Sequence, residues 1–135
     1  MHAAIPCAPW TAWQHFNYAR GSPTFRRNLL KRRTESLIIL DHWKQIASYI
    51  HSNGGFNSYE WPRFCSGWVH IVDFFPSIGM RKADCDGCAL GSATANGKPI
   101  KKPWSIWSSW QPMVDALSSK VCDISRTRSL CWLQH

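Results

Sequence analysis

Residues 22–62, SPTFRRNLLKRRTESLIILDHWKQIASYIHSNGGFNSYEWP, decide the fold. Ser22 offers an N-cap oxygen, and Pro23 takes the first helical position, where a missing N–H costs nothing. From Thr24 to Asn53 neither glycine nor proline interrupts the chain. Within that run Phe25, Leu29, Leu30, Leu37, Leu40, Trp43, Ala47 and Ile50 recur at helical spacing, with arginines and lysines filling most of the other face. One long helix or two are expected, stopped at Asn53-Gly54-Gly55. Phe56-Asn57-Ser58-Tyr59-Glu60 then has the length of a strand, ended by Trp61-Pro62 because proline cannot donate to a ladder.

Working outward, Ala3-Ala4-Ile5-Pro6-Cys7-Ala8-Pro9-Trp10 reads as the end of a strand entering a proline-punctuated loop. Downstream, Gly67 to Phe75 can form another helix, broken by Pro76 and Gly79 before a strand from Met80 to Asp84. Alternating helix, turn and strand make this an α/β chain. Beyond Gly87 it becomes irregular through Gly91, Gly97, Pro99 and Pro103, with a last short helix from about Pro112 to Val121. No internal repeat or low-complexity tract is present.

At 135 residues the chain holds one core. Nine tryptophans are a heavy load, many beside Pro, Ser or Gly. If the chain is a fragment, some of their cover is missing, and exposed Trp10, Trp13, Trp107 and Trp110 are expected to make it sticky. A formal charge of +8 favours an acidic partner, and nucleic acid is the commonest. Six of the sixteen cationic residues fall together: Arg20, Arg26, Arg27, Lys31, Arg32 and Arg33. These are candidate phosphate contacts, joined by Arg63 and by a weaker cluster of Lys98, Lys101 and Lys102. No stretch approaches the roughly 18 apolar residues of a membrane span, so no membrane partner is expected. Met1-His2-Ala3-Ala4-Ile5-Pro6 lacks the charged and apolar regions of a signal peptide, which points to an intracellular protein. Six cysteines then read as thiols, metal ligands or a nucleophile rather than as a disulfide framework.

Two groups of residues are candidates for chemistry. Cys7 follows a strand end and Glu60 ends the next strand, so in a parallel sheet both are expected to face one crevice. The plainer alternative makes Cys7 a buried structural thiol and pairs Glu60 with Arg63. Cys85-Asp86-Gly87-Cys88 has a spacing that lets two thiolates share a zinc ion, with Cys122 and Cys131 completing a four-cysteine site. The alternative there is a tight Asp-Gly turn flanked by half-buried thiols.

The strings Pro6-Cys7-x-Pro9-Trp10-Thr11-x-Trp13-Gln14 and Gly54-Gly55-x-x-Ser58-Tyr59-Glu60-Trp61-Pro62-Arg63, separated by one helical crossover, resemble central motifs of DNA cytosine-5 methyltransferases. Together with Asp86-Gly87-Cys88-x-x-Gly91 and Gly97-Lys98-Pro99-Ile100-Lys101-Lys102-Pro103-Trp104, they look like a methyltransferase-like region of eukaryotic retrotransposon-type polyproteins. The resemblance implies a Cys7 thiolate that attacks a flipped-out cytosine and a Glu60 carboxyl that holds the ring nitrogen. S-adenosylmethionine would supply the methyl group in a complete relative. The implied fold is a partial Rossmann-like, three-layer fragment with an irregular Trp-rich C-terminal part.

The family's glycine-rich cofactor turn lies upstream of the cysteine motif, and its Gln-x-Arg-x-Arg signature is absent from this sequence. A truncated fragment with no cofactor of its own and no turnover is therefore expected. Its segments would be a methyltransferase-like part (1–91), a basic Pro/Trp-rich extension (92–124) and an out-of-frame tail (125–135). The tail follows from the resemblance, which implies a His-x-His and a further cysteine after Cys122. The string TCA CGA ACA CGC TCC TTG TGC TGG C spells Ser125 to Trp132, and one base later it spells His-Glu-His-Ala-Pro-Cys-Ala-Gly. Beside this stands a second reading: a basic nucleic-acid-binding module with structural zinc, whose tryptophans stack on unpaired bases.

Overall fold

The computed structural model describes residues 1–122, and the expected out-of-frame tail, with Cys131, lies outside them. Its elements run β1 (His2–Ala3), α1 (Trp13–Arg20), α2 (Pro23–Ser52), β2 (Ser58–Pro62), β3 (Arg81–Asp86), β4 (Pro103–Ser108) and α3 (Gln111–Ser118). Short 3-10 turns occupy Ala8–Trp10, Ser66–His70, Phe75–Ile78 and Gly87–Leu90. The chain is thus mixed α/β, with one four-stranded mixed sheet ordered β1-β2-β4-β3.

α2 is a single helix of 30 residues. The Ser22 hydroxyl accepts from the Phe25 N–H at 3.2 Å, Pro23 opens the first turn, and Gly54 leaves the helix with φ 76°. This helix returns the chain from β1 to β2, which lie parallel with Ala3 opposite Tyr59. β4 is antiparallel to both β2 and β3. The wholly parallel arrangement expected from the alternating pattern is therefore limited to the first strand pair. β4 arises from the stretch expected to be irregular, and it sits between β2 and β3.

β2 runs through Pro62 rather than stopping before it. Arg63 donates its backbone N–H to the Pro103 carbonyl, so the nitrogen of Pro62 points away from β4. On that side β1 has already ended, and no donor is needed. Gly67 to Phe75 forms 3-10 turns instead of an α-helix. β-branched Val69, Ile71 and Val72 are indifferent helix formers, and the open path lets Trp68, Ile71 and Phe75 all turn toward the core.

The strand period of two divides the sheet into two faces. Ala3, Tyr59, Trp61 and Trp107 face α2, where Leu40, Trp43 and Ala47 meet them. Tyr59 lies edge-on to Trp43 at 5.0 Å and to Trp61 at 5.2 Å, and Phe75 stacks on Trp107 at 4.7 Å. Each such buried ring contributes about 1.5–3 kcal/mol by area and somewhat more by edge-to-face geometry. On the opposite face Ala83, Cys85 and Ile106 are buried beneath α3, which brings Val114 down onto them.

This core corrects the expectation of four exposed tryptophans. Trp10 is buried, donating its indole N–H to Ser36, and Trp107 is half-buried on Phe75. Trp13 and Trp110 do remain exposed.

Candidate nucleic-acid interface

The first 34 residues contain no aspartate or glutamate, yet they carry all six cations of the main cluster. The fold gives this charge a shape. α2 is about 45 Å long, whereas a five-residue strand spans only about 17 Å, so the helix overhangs the sheet. Its overhanging end is the N-terminal one. Arg33 Nε donates to the Pro9 carbonyl at 3.0 Å and Ser36 meets Trp10, which places residues 33–36 at the carboxyl end of β1. The helix before Arg33 projects beyond that point with α1 packed along it.

Within this arm the cations divide by role. Arg26 donates to the carbonyls of Tyr18 and Ala19 at 2.8 and 3.0 Å, closing the end of α1, and its guanidinium lies 5.4 Å from the Tyr18 ring. Arg33 is tied to Pro9 and covers the Trp10 ring at 5.2 Å. These two hold the arm together. Lys31 makes an exposed ion pair with Glu35 at 3.9 Å, a contact of little energy. Arg20, Arg27 and Arg32 are exposed and meet no acceptor among the described residues. They are the cations free to meet phosphate.

A second cationic group stands at the same end of the sheet, where β2 finishes and β4 begins. Lys101 is half-buried, and exposed Lys102 places its ammonium 4.3 Å from the Trp104 ring centroid. Arg63, by contrast, is committed to structure. It donates to the Cys85 carbonyl at 3.1 Å and pairs with Asp86 at 3.5 Å and Asp84 at 3.7 Å. Glu60 is not its partner; the carboxylate lies 3.8 Å from the His2 ring instead. A shallow cleft runs between Trp68 and Trp107 with Arg63, Lys82 and Ser105 on its walls. Asp84 and Asp86 neutralise its two cations.

No family model matches this chain, and no curated protein and no solved structure matches it.

Cys7 and Glu60 are not brought to one crevice. Cys7 is half-buried against the cluster that contains Tyr59 and Trp61, on the α2 side of the sheet. Because Tyr59 and Trp61 point to that side, Glu60 between them points to the other. The cysteine that shares the Glu60 face is Cys85, opposite Trp104 in β4, as Glu60 is opposite Ile106. Burial pushes the Cys85 thiol up, Arg63 draws it back down, and Asp86, Asp84 and Glu60 push it up again. That is a poor setting for a nucleophile.

The zinc candidates are also distributed differently from the expected cluster. Cys88 and Cys122 are joined in a disulfide with a Cα separation of 6.4 Å, while Cys85 is buried and free beneath α3. Alternation along β3 and the turn after Asp86 send Cys85 and Cys88 to different surroundings. Among the described residues no three His, Cys, Asp or Glu side chains form a group able to hold a metal. No described helix is long and apolar enough to cross a membrane.

Reading the residues singly left two features of this end of the molecule unseen. One is the pairing of Trp13 with Phe16 on α1, whose ring centroids are 6.0 Å apart. The other is the carboxylate pair Asp84 and Asp86 that occupies Arg63. The first is signalled by three-residue spacing inside an acid-free segment, and the second by the alternation of Asp84 and Asp86 along a strand.

Proposed function

We propose that this chain is a nucleic-acid-binding module without turnover of its own, built on a partial Rossmann-like, methyltransferase-like unit. The observation that carries the binding is the acid-free basic arm formed by α1 and the first third of α2. Arg20, Arg27 and Arg32 extend into solvent from a scaffold whose position is fixed by Arg26 and Arg33. A rigid, projecting cluster of unpaired cations suits a polyphosphate backbone, which attracts it over a Debye length and releases counterions on contact. The ancestry is supported by the parallel crossover from β1 through α2 to β2, with the proline-cysteine string after the first strand and Glu60 in the second. The separation of Cys7 from Glu60 argues against transfer chemistry by that pair.

Titrating labelled oligonucleotide at several salt concentrations tests the reading. Binding is expected with a steep salt dependence, and Arg27→Ala with Arg32→Ala should flatten the log–log slope by about 1.4 on a single strand. No binding at low salt, or an unchanged slope in that double variant, overturns it. Methyl transfer from S-adenosylmethionine to cytosine DNA is expected at background. A signal abolished by Cys7→Ser would restore the enzymatic reading.

A further inference from the structure

α1 buries none of its residues, although it carries Trp13, Phe16 and Tyr18. A helix of eight residues is too short to persist alone. This one is held by polar contacts at its ends: the Gln14 amide donates to the Ala8 carbonyl at 2.9 Å, and Arg26 takes the carbonyls of Tyr18 and Ala19. Its apolar side is therefore not used for attachment. Trp13 is 54% exposed and Phe16 62%, and Arg20 continues the same stripe one turn further on. Aromatic, aromatic, cation at positions i, i+3 and i+7 is a ladder of two stacking surfaces and one phosphate contact.

Resting on the nucleic-acid reading above, we infer that the arm takes single-stranded nucleic acid, with bases stacked on Trp13 and Phe16 and the backbone following Arg20, Arg27 and Arg32. A duplex keeps its base faces inside the stack and offers these rings nothing. A single strand offers them every base, and its phosphates complement an arm that lies within the acid-free first 34 residues of the chain. Tyr18 is excluded from the ladder because the Arg26 guanidinium already lies against it.

The test compares oligothymidylate and oligouridylate of about 20 nucleotides with a duplex of equal length, by fluorescence anisotropy of the full chain. Both single strands are expected to bind more tightly than the duplex. Replacing Trp13 and Phe16 together by alanine should weaken single-strand binding about tenfold or more. Salt slope and duplex affinity should stay where they were, and circular dichroism should be unchanged, since neither ring is buried. Trp13→Phe with Phe16→Tyr should retain tight binding, as a stacking role requires. Loss on only one of the two single strands supports the inference for that type of strand alone. If single strand and duplex bind equally and the alanine pair changes neither, this inference falls while the binding module stands. If nothing binds, both fall.

Discussion

The indole N–H of Trp10 donates to the Ser36 hydroxyl at 2.9 Å, and that bond closes the base of the basic arm. Around it, the Trp10 ring meets His70 at 4.9 Å and the Arg33 guanidinium at 5.2 Å, while Ser66 donates its hydroxyl to the Trp10 carbonyl. The loop carrying Cys7 and the helix carrying the cations are thus fixed to one another through the buried Trp10 side chain and the Arg33–Pro9 hydrogen bond. Ser36→Ala leaves the indole N–H buried without an acceptor, which should cost about 1–3 kcal/mol. Urea unfolding measures it, and a loss too small to resolve would show that the bond carries no load.

Gly67 is where the 3-10 turn passes over the aromatic cluster. A Cβ at this position would stand 2.6 Å from the Trp61 ring and 2.9 Å from Trp10, both of which are buried and cannot swing away. Gly67→Ala is expected to destabilise the chain by about 1–3 kcal/mol through overpacking. Ser66→Ala next to it removes only a hydroxyl contact and should cost less. Equal midpoints for the two variants in urea would reject the close approach.

Asp86 secures the segment after α3. Its Oδ2 accepts from the Cys122 N–H at 2.9 Å, its own N–H donates to the Lys120 carbonyl at 2.8 Å, and its Oδ1 faces Arg63. The carboxylate is almost fully buried. Asp86→Ala leaves Arg63 half-compensated and should cost about 2–4 kcal/mol, with Asp86→Asn costing less because an acceptor remains. Trypsin cleavage after Lys120 should speed up in the alanine variant first. Cleavage at the wild-type rate would mean that the Asp86 contacts do not restrain this segment.

The helix of residues 23–52 was legible because its signals agree: Ser22-Pro23 at the start, uninterrupted periodicity, and paired glycines at the end. The middle strand was not. Trp104-Ser105-Ile106-Trp107-Ser108 shows no clear alternation of polar and apolar residues, because both faces of β4 are covered and its serines are satisfied inside the fold. Ser105 donates to Asp84 at 2.5 Å, and Ser108 donates to the Asn57 carbonyl at 3.3 Å. Pro103 looked like a breaker, but it opens the strand and contributes only its carbonyl, to Arg63. The expected Cys7–Glu60 crevice failed on a finer point. Strand order placed the two segments side by side, yet the side chain's face depends on phase, and burying Tyr59 and Trp61 commits Glu60 to the other side.

The alkaline limb of stability should expose the interior acids. Tyr59 is buried, its hydroxyl meets no hydrogen-bond partner among the described residues, and burial pushes its phenol well above 10.0, with Cys65 and Cys7 adding to the effect. Burial likewise pushes the Cys65 thiol up from 9.0 to about 11, against a backbone hydrogen bond from Gly67 that lowers it. For both groups the unfolded chain ionises first as pH rises, so the native state binds more protons and loses ground. Stability should be level below about pH 8 and fall from about pH 9 upward, Cys65 contributing about 2–3 kcal/mol by about pH 11 and Tyr59 adding to the loss above about pH 10. Tyr59→Phe removes a desolvated hydroxyl that has no partner to lose. At neutral pH it should be neutral or stabilising by up to about 1 kcal/mol, and above pH 10 its stability should decline less steeply than that of the wild type. Urea midpoints across pH decide the matter. A Tyr59→Phe variant clearly weaker at pH 7 would mean that the hydroxyl has a partner in solution, and the phenol would then not be the source of the alkaline loss.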